Sequence, residues 1–443
     1  MKTIFKHLKS IQLILLGLFL AEGASAQQQL TLKQALNYAV ENSENVRKSR
    51  LDIDGGKYKT QEIRSQALPQ LSANGTLTYN PIIAQLVIGD QSFQLGQHWN
   101  TNAGVQLNQQ LFNQTVFTGL QAAKKSEIYY NLSAELTEEQ TIEQVATTYY
   151  QVLVNRQMLN VIDTNIKNVK VVENIIVNQY KNGLARKIDV DRIKVNLTNL
   201  QTQQEQTTNA VTQLENQLKF YIGMPVSENI VLPATELSEV KTLPAFADSV
   251  SLAGRTEIRL LDVQRDLLKL QRKAYVSEYY PTLSLTGNFS YTGQSDKFDL
   301  FKSNSSTFWY DASAIGLSLK VPIFNGFATR SRIRQADVDI KKADEDKRQT
   351  TNSLNLAYEN AKIQLKNSIT TINSQRENVV LAQEIYNSTQ NNYNNGLAAL
   401  TDLLDTENAL TEAQNSYTQA LLNYKIAEIQ LIKSNGNIKS LLK

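Results

Sequence analysis

The sequence predicts an α+β protein built from two copies of one unit, in which a pair of β-strands is followed by two long antiparallel helices. Three observations carry this prediction. The segment ALPQLSANGTLTY at 67–79 returns as YYPTLSLTGNFSY at 279–291. In both copies apolar and polar residues then alternate with a period of two, which is typical of strands. Further on, apolar residues are spaced by three and four, which is typical of amphipathic helices.

The repeat covers almost everything after the N-terminus. VQLNQQLFN at 105–113 returns as LSLKVPIFN at 317–325, and QYKNGLARKID at 179–189 returns as NYNNGLAALTD at 392–402. A unit of this length is a large supersecondary module and is too long for a solenoid repeat. The predicted boundaries are a first repeat at 27–232, a linker at 233–249 and a second repeat at 250–443.

The N-terminus has the three zones of a secretory signal. A lysine-rich start precedes an apolar run at 11–20, and small residues end the segment at Ala26. An apolar run of this length is too short to span a bilayer, which needs about 20 residues. We therefore predict a signal peptide at 1–26 rather than a membrane anchor.

The composition excludes most kinds of chemistry. The chain has no cysteine and only two histidines, of which His7 lies in the predicted signal peptide. A disulfide framework, a thiolate metal site and an imidazole-based catalytic site are therefore not expected. We predict no catalytic, cofactor-binding or metal-binding residues, and a protein that is not an enzyme. The formal net charge is only +3, which gives no reason to expect a nucleic-acid partner.

Each copy of the opening motif begins a predicted strand with two different faces. Apolar or small residues alternate with Ser, Thr and Asn over 71–79 and 283–291, and return strands at 103–107 and 315–321 alternate in the same way. This period and length fit a membrane strand with one face on lipid and the other in water. The alternative is a half-buried sheet of a soluble β-sandwich.

Aromatic residues at one end of the strands favour the membrane. Tyr and Trp rings are enriched where a membrane strand meets the headgroups. The predicted aromatic girdle consists of Tyr79, Trp99, Tyr291, Trp309 and Tyr310. The segments that join the strands at this end, 80–98 and 292–308, are longer than hairpin turns and are predicted to be exposed loops.

Long helices follow each strand pair. In both copies a nearly uninterrupted apolar seam ends at an Asn-Gly stop, at Gly183 and Gly396, and a second seam begins soon after it. Because Asn and Gly end helices readily, each copy is predicted to form an antiparallel coiled-coil hairpin. The predicted long helices cover about 115–181, 189–221, 329–394 and 402–434, and shorter helices precede the strand pairs at about 32–66 and 250–277.

Together these motifs resemble the outer-membrane efflux (TolC) family over essentially the whole mature chain. The resemblance rests on the opening LTLKQALNYAVENS, the strand starts LPQLSANG and YPTLSLTG, the strand ends QQLFN and VPIFN, and the turns YKNGLARKID and YNNGLAALTDLLD. It implies a homotrimer in the outer membrane, with a twelve-stranded β-barrel and an α-helical tunnel that extends into the periplasm. Four strands cannot close a barrel, and an open sheet edge does not survive in hydrocarbon. A barrel shared by three copies would remove this difficulty.

The resemblance also implies a gate at the periplasmic end. Asp402 and Asp405 stand where family members carry the acidic residues that ring the closed tunnel mouth. Asp189 and Tyr393 match the two ends of a hydrogen-bonded latch between neighbouring hairpins. Carboxylates that converge on a narrow axis repel one another and attract cations. Alternatively, these residues flank the start of the returning helix, where carboxylates suit the helix dipole; this alternative is stronger for Asp402, because Arg192 replaces Asp405 in the first copy.

Two departures from the family pattern affect the latch. Ala398 stands where family members can carry an arginine, and Ile188 stands where they can carry a threonine. Other side chains near the first turn are then candidates for the latch, namely Arg186, Lys187 and Arg192.

The implied partners are a periplasmic adaptor protein, an inner-membrane transporter and the lipid of the outer membrane. The hairpin turns are expected to meet the adaptor through Gly183, Leu184, Gly396 and Leu397. The expected function is a passive exit duct of a tripartite efflux or type I secretion system. The alternative is an exported trimeric coiled-coil protein with a structural or adhesive role in the envelope, which explains the helices and leaves the four two-faced strands unexplained.

Overall fold

The computed structural model describes residues 29–233, 252–299, 302 and 307–443. The predicted signal peptide, and all of the predicted linker except its first residue, lie outside the described residues.

The described elements repeat one order in the two halves of the chain. The first half contains α1 (Leu32–Asn42), α2 (Glu44–Ser65), β1 (Gln70–Tyr79), β2 (Gln85–Ile88), β3 (Gln91–Gln94), β4 (Trp99–Phe112), α3 (Gln114–Lys181) and α4 (Lys187–Ile222). The second half contains a 3-10 turn (Leu252–Gly254), α5 (Thr256–Ser277), β5 (Thr282–Ser295), β6 (Phe308–Lys320), α6 (Ala328–Asn394), α7 (Leu400–Ser434) and a final 3-10 helix (Ile438–Leu442).

The four long helices lie where the sequence predicts them, and the shorter ones differ in detail. The predicted first helix is interrupted at Ser43, whose backbone is extended. Its carbonyl accepts the N–H of Arg47 as the next helix begins, a position in which serine is favoured. The start of α1 is fixed by a capping box, because Thr31 and Gln34 exchange side-chain and backbone hydrogen bonds.

One predicted loop has secondary structure of its own. Within 80–98, β2 and β3 form a hairpin whose turn contains Gly89 in the left-handed conformation, with φ of 63°. The prediction of a plain loop was wrong here, because two strands of four residues are too short for an alternation pattern to be recognised. The strand that precedes the other loop also extends further than predicted, to Ser295.

The remaining strands form one antiparallel sheet in the order β1-β4-β5-β6. Its register carries Tyr79 opposite Trp99, Ala103 opposite Tyr291, and Leu285 opposite Leu317. Because paired residues of antiparallel strands point to the same face, this register sorts the whole sheet into two faces. Among the described residues, β1 and β6 each pair on one side only.

One face of the sheet is mostly apolar and the other is mostly polar. The first is interrupted by Thr101, Gln109, Asp311 and Ser313, and the second by Phe308, Tyr310, Ala312 and Ala314. The apolar face carries Leu71, Ala73, Leu77, Tyr79, Trp99, Ala103, Val105, Leu107, Leu285, Phe289, Tyr291, Trp309, Ile315, Leu317 and Leu319. The polar face carries Ser72, Asn74, Thr76, Thr78, Asn100, Asn102, Gln106, Asn108, Ser284, Thr286, Asn288, Ser290, Thr292, Ser318 and Lys320. Leu71, Ile315 and Leu317 are exposed in the chain, so the apolar face is not covered as the face of a soluble sandwich would be.

The chain divides into two compact units. The first comprises residues 1–49, 135–256 and 351–443, and the second comprises 50–134 and 257–350. The second unit contains the sheet, and in its helices Asp262 binds Lys347 at 2.7 Å and Asp337 binds Arg272 at 2.6 Å. None of the described helices is both long and apolar enough to cross a membrane.

Two apolar clusters hold the first unit together. The larger one joins α1 to buried parts of α3, α4, α6 and α7, and the Tyr149 hydroxyl within it donates a 2.9 Å hydrogen bond to the Leu30 carbonyl. The other, here called the hairpin cluster, comprises Ile162, Ile166, Val169, Val172, Ile176, Val190, Ile193, Leu200, Tyr386, Leu400, Leu403, Leu404 and Leu410. It joins α3, α4, α6 and α7 near the two turns.

Two glycines with the same conformation offer a matched test of this packing. Gly183 and Gly223 have φ values of 74° and 75°, which only glycine adopts without strain. A Cβ at Gly183 would meet nothing, whereas at Gly223 it would overlap the carbonyl of Asn42. We expect Gly183→Ala to lower the free energy of unfolding by about 1 kcal/mol and Gly223→Ala to lower it by about 2 kcal/mol more. Urea unfolding followed by circular dichroism checks this, and equal losses would contradict the close approach.

Candidate functional site

The two hairpin turns have the same backbone hydrogen bonds. In the first, the N–H of Leu184 donates to the Gln179 carbonyl at 2.8 Å, and Gly183 donates to Tyr180 at 3.0 Å. In the second, Leu397 donates to the carbonyl of Asn392, also at 2.8 Å. This is the Schellman arrangement, which needs a residue with positive φ and usually takes glycine. The leucines that follow the two glycines are each 79 % exposed.

Asp189 is bound by the side chain that precedes its helix. The Arg186 guanidinium donates to the two carboxylate oxygens at 3.1 and 3.2 Å. These bonds, with a smaller contribution from Arg192, hold the pKa of Asp189 below its usual value despite some desolvation. Arg186 was one of the three alternative candidates for the latch, and within the chain it is engaged with Asp189. Asp189 is therefore an anion at neutral pH.

Tyr393 lies near Asp189 without contacting it through a hydrogen bond. Its ring packs half-buried against the hairpin cluster, and burial together with the charge of Asp189 raises the pKa of its hydroxyl. Among the described residues no hydrogen bond joins the two side chains. The predicted latch, which links neighbouring hairpins, stays a prediction.

The two aspartates of the second hairpin have different surroundings. The Asp402 carboxylate accepts the N–H of Ala399 at 3.1 Å. Because Ala399 has no side-chain acceptor, this is one half of a capping box at the start of α7. Asp405 is exposed one turn further on. The structure thus gives Asp402 the helix-capping role that was its alternative, and leaves Asp405 on the surface.

A buried carboxyl group close to these residues was missed from the sequence. Glu407 on α7 is only 3 % exposed, and its Oε1 has no hydrogen-bond partner among the described residues. Burial raises the pKa of this carboxyl to about 7. The signal that could have revealed it is its spacing, because Leu403, Glu407 and Leu410 follow one helix face.

The predicted girdle residues lie together at one end of the sheet, with one exception. The rings of Tyr79 and Trp99 are 4.7 Å apart, and those of Tyr291 and Trp309 stack at 4.8 Å with an angle of 14°. All four belong to the apolar face. Tyr310 pairs with Thr292 and therefore lies on the polar face, opposite to the other four, and its assignment to the girdle stays a prediction.

The opposite end of the sheet carries a second aromatic group that the sequence reading overlooked. Phe112 and Phe117 have ring centroids 6.2 Å apart, and Phe324 and Phe327 meet edge to face at 5.4 Å. The three residues Phe117, Phe324 and Phe327 are exposed. Aromatic residues therefore mark both ends of the two-faced strands.

Comparison with known proteins agrees with this arrangement. Residues 249–437 match the family model described as Outer membrane efflux protein. The chain is 23 % identical over 440 residues to the outer membrane protein TolC of Escherichia coli (strain K12), covering 97 % of this chain and 87 % of TolC. Residues 249–437 therefore carry the sequence pattern of the outer membrane efflux protein family, and the likeness to TolC extends over nearly the whole chain. Its place is the outer membrane, as an exit channel for efflux or secretion.

Solved structures of family members have the same fold. The CmeC outer membrane channel of Campylobacter jejuni superposes with a TM-score of 0.73 at 16 % identity, covering 92 % of this chain and 85 % of CmeC. The open state of the MtrE channel of Neisseria gonorrhoeae gives a TM-score of 0.72 at 19 % identity, covering 93 % and 90 %. At this identity the likeness shows the fold alone.

The two aspartates of the second hairpin should differ in their effect on stability. We expect Asp402→Ala to lower the free energy of unfolding by about 0.5–1 kcal/mol, because the N-terminus of α7 loses an acceptor and a favourable charge. Asp405→Ala should change it by less than about 0.5 kcal/mol, as at other surface sites. Thermal unfolding of the two purified variants beside the parent protein measures this. A larger loss for Asp405→Ala would contradict the capping assignment.

Proposed function

We propose that three copies of this chain form a passive exit duct through the outer membrane. The observation that carries the proposal is the sheet, which has one apolar face, one polar face and two unpaired edges. Lipid would cover the apolar face, and the polar face would line a water-filled lumen. Twelve strands from three copies would close the barrel, and the long helices would continue it as a tunnel into the periplasm.

The duct has no energy source of its own in this proposal and depends on partners. A periplasmic adaptor would dock at the turns, where Leu184 and Leu397 present apolar side chains to the solvent. An inner-membrane transporter would deliver the substrate through that adaptor. Outer-membrane lipid would contact the aromatic residues at both ends of the strands, and nucleic acid has no part in this function.

The gate is proposed at the turns of the second hairpin. Asp405 is its principal residue, because its carboxylate is exposed and is not engaged in capping, whereas Asp402 accepts the Ala399 N–H. Three copies of Asp405 around a narrow axis would attract cations and repel one another. Opening would be a shift of the second hairpins that separates these carboxylates.

The alternative is an exported trimeric coiled-coil protein with a structural or adhesive role. It would use the same helices, but it would leave the exposed apolar face of the sheet in water. Contiguous apolar surface of this kind is rare in soluble proteins. A trimer that separates from membranes only in detergent supports the duct, and a soluble monomer refutes it.

Removing the gate carboxylates should change ion conduction. In a planar bilayer we expect Asp405→Ala, and more strongly the Asp402→Ala/Asp405→Ala double variant, to raise the single-channel conductance or to weaken block by divalent cations. The physical reason is the loss of a ring of negative charge at the narrowest point.

A matched control is Asp191→Ala, which removes another exposed carboxylate close to the first turn. This variant should conduct like the parent protein. If conductance and cation block stay unchanged in the double variant, the gate does not lie at these aspartates.

A further inference from the structure

The carboxyl group of Glu407 is buried inside a single copy of the chain. It lies on α7 between Leu403 and Leu410, which belong to the hairpin cluster, and it is 3 % exposed without any neighbouring copy. Its Oε1 has no hydrogen-bond partner among the described residues. An ionised carboxylate in such a place is unfavourable unless it is paired. The burial does not depend on how copies assemble, since it is complete within the chain.

Uncharged polar groups join α3 to α7 close to Glu407. The Asn165 amide of α3 donates a hydrogen bond to the Thr411 hydroxyl, which in turn donates to the Glu407 carbonyl at 2.9 Å. On α4, Leu200 belongs to the same cluster. A short polar connection therefore crosses from α3 to α7 one turn from the buried carboxyl.

The titratable group that faces Glu407 from α6 is the phenol of Tyr386. Burial and the charge of Glu407 both raise the pKa of this hydroxyl, which accepts the Gln390 amide at 3.3 Å. The phenol is therefore neutral whenever Glu407 titrates. Among the described residues no ion pair joins Glu407 to a cation, and burial is the cause that raises its pKa.

We propose that Glu407 is a positioning residue of the second hairpin, which holds α7 against α3 and α6 as a neutral acid and releases this packing as a carboxylate. The neutral form can remain in the apolar cluster. The charged form gains most from water, which it reaches only when α7 separates from the cluster. The second hairpin would then have two packing states whose populations follow the protonation of one side chain.

The direction of the pH dependence follows from the burial. In the packed state the carboxyl has a pKa of about 7, compared with the ordinary value of 4.5. The packed state therefore binds the proton more tightly than the released state. The stability that this gives the packed state is fully present below the ordinary pKa and is lost as the pH rises through about 7. With full solvation of the released carboxylate, the population of the released state would rise by at most about 70-fold between about pH 5 and pH 8.

Under the proposed function, release of α7 would favour opening, because α7 carries Asp402 and Asp405 at its start. This link rests on the proposed duct, whereas the pH-dependent packing does not. The two claims can therefore be tested separately.

The packing claim is tested on the purified full chain in detergent by comparing the parent protein with Glu407→Gln and Glu412→Gln. Glutamine keeps the shape of Glu407 and cannot ionise, and Glu412 is an exposed carboxylate on the same helix. Hydrogen exchange of residues 400–420, corrected for the chemical exchange rate, should rise at least about tenfold between about pH 5 and pH 8 in the parent protein and in Glu412→Gln. It should not rise in Glu407→Gln. The infrared band of a protonated carboxylic acid should titrate near neutral pH in the parent protein and be missing from Glu407→Gln.

The proposal is overturned if the exchange rate of residues 400–420 responds to pH alike in the parent protein and in Glu407→Gln. It is also overturned if Glu407→Gln leaves the carboxylic acid band unchanged. The link between the packing of α7 and channel opening is tested in a planar bilayer. The fraction of time that the channel is open should rise with pH in the parent protein and stay unchanged in Glu407→Gln. If exchange responds as expected but no channel forms, the packing claim stands and the proposed duct is wrong.

Discussion

The unpaired backbone at the two edges of the sheet is the constraint on which the rest of the structure depends. Within the described chain, β1 and β6 each leave one row of N–H and C=O groups without strand partners. In hydrocarbon every such group costs several kcal/mol. The strands alternate in direction, so β6 of one copy can pair antiparallel with β1 of the next. In the proposed duct, a chain of this kind would reach a stable state in the membrane only by closing the sheet with further copies.

In the proposed closed assembly, the two copies of the repeat would be alike at their turns and different beyond them. The turns are alike in hydrogen bonding and in their exposed leucines, which suits a common docking role. Beyond the turns the copies diverge, because Arg192 of the first corresponds to Asp405 of the second. Glu407 adds a further asymmetry inside the second hairpin, where burial raises the pKa of a carboxyl group. In the proposed duct, the exposed and buried carboxylates of this helix would serve two purposes, one facing the conducted ions and one controlling how the helix packs.

Much of the fold could be predicted because its signals are long and simple. Helices of 67 and 68 residues have room for many turns of the apolar seam, and Asn-Gly marks their ends. Tyr310 lies on the face opposite to Trp309, because adjacent strand residues point to opposite faces of a sheet. The β2–β3 hairpin is too short to show a period. The burial of Glu407 could not be predicted, because glutamate is usually exposed and only the packed helices show that this one follows the apolar spacing.

The measurement that tests closure most directly is disulfide crosslinking between the sheet edges. The chain has no cysteine, so Thr76→Cys on β1 can be combined in turn with Ala312→Cys, Ala314→Cys, Gly316→Cys and Ser318→Cys on β6 without interfering thiols. Closure by three copies predicts that at least one combination gives covalent dimers and trimers and no larger species. The combination of Thr76→Cys with Asn288→Cys, on the inner strand β5, should give none, because β4 separates these strands within a copy and β6 would separate them between neighbouring copies. Monomers in every β1–β6 combination, or a ladder that continues beyond three chains, would contradict a sheet closed by three copies.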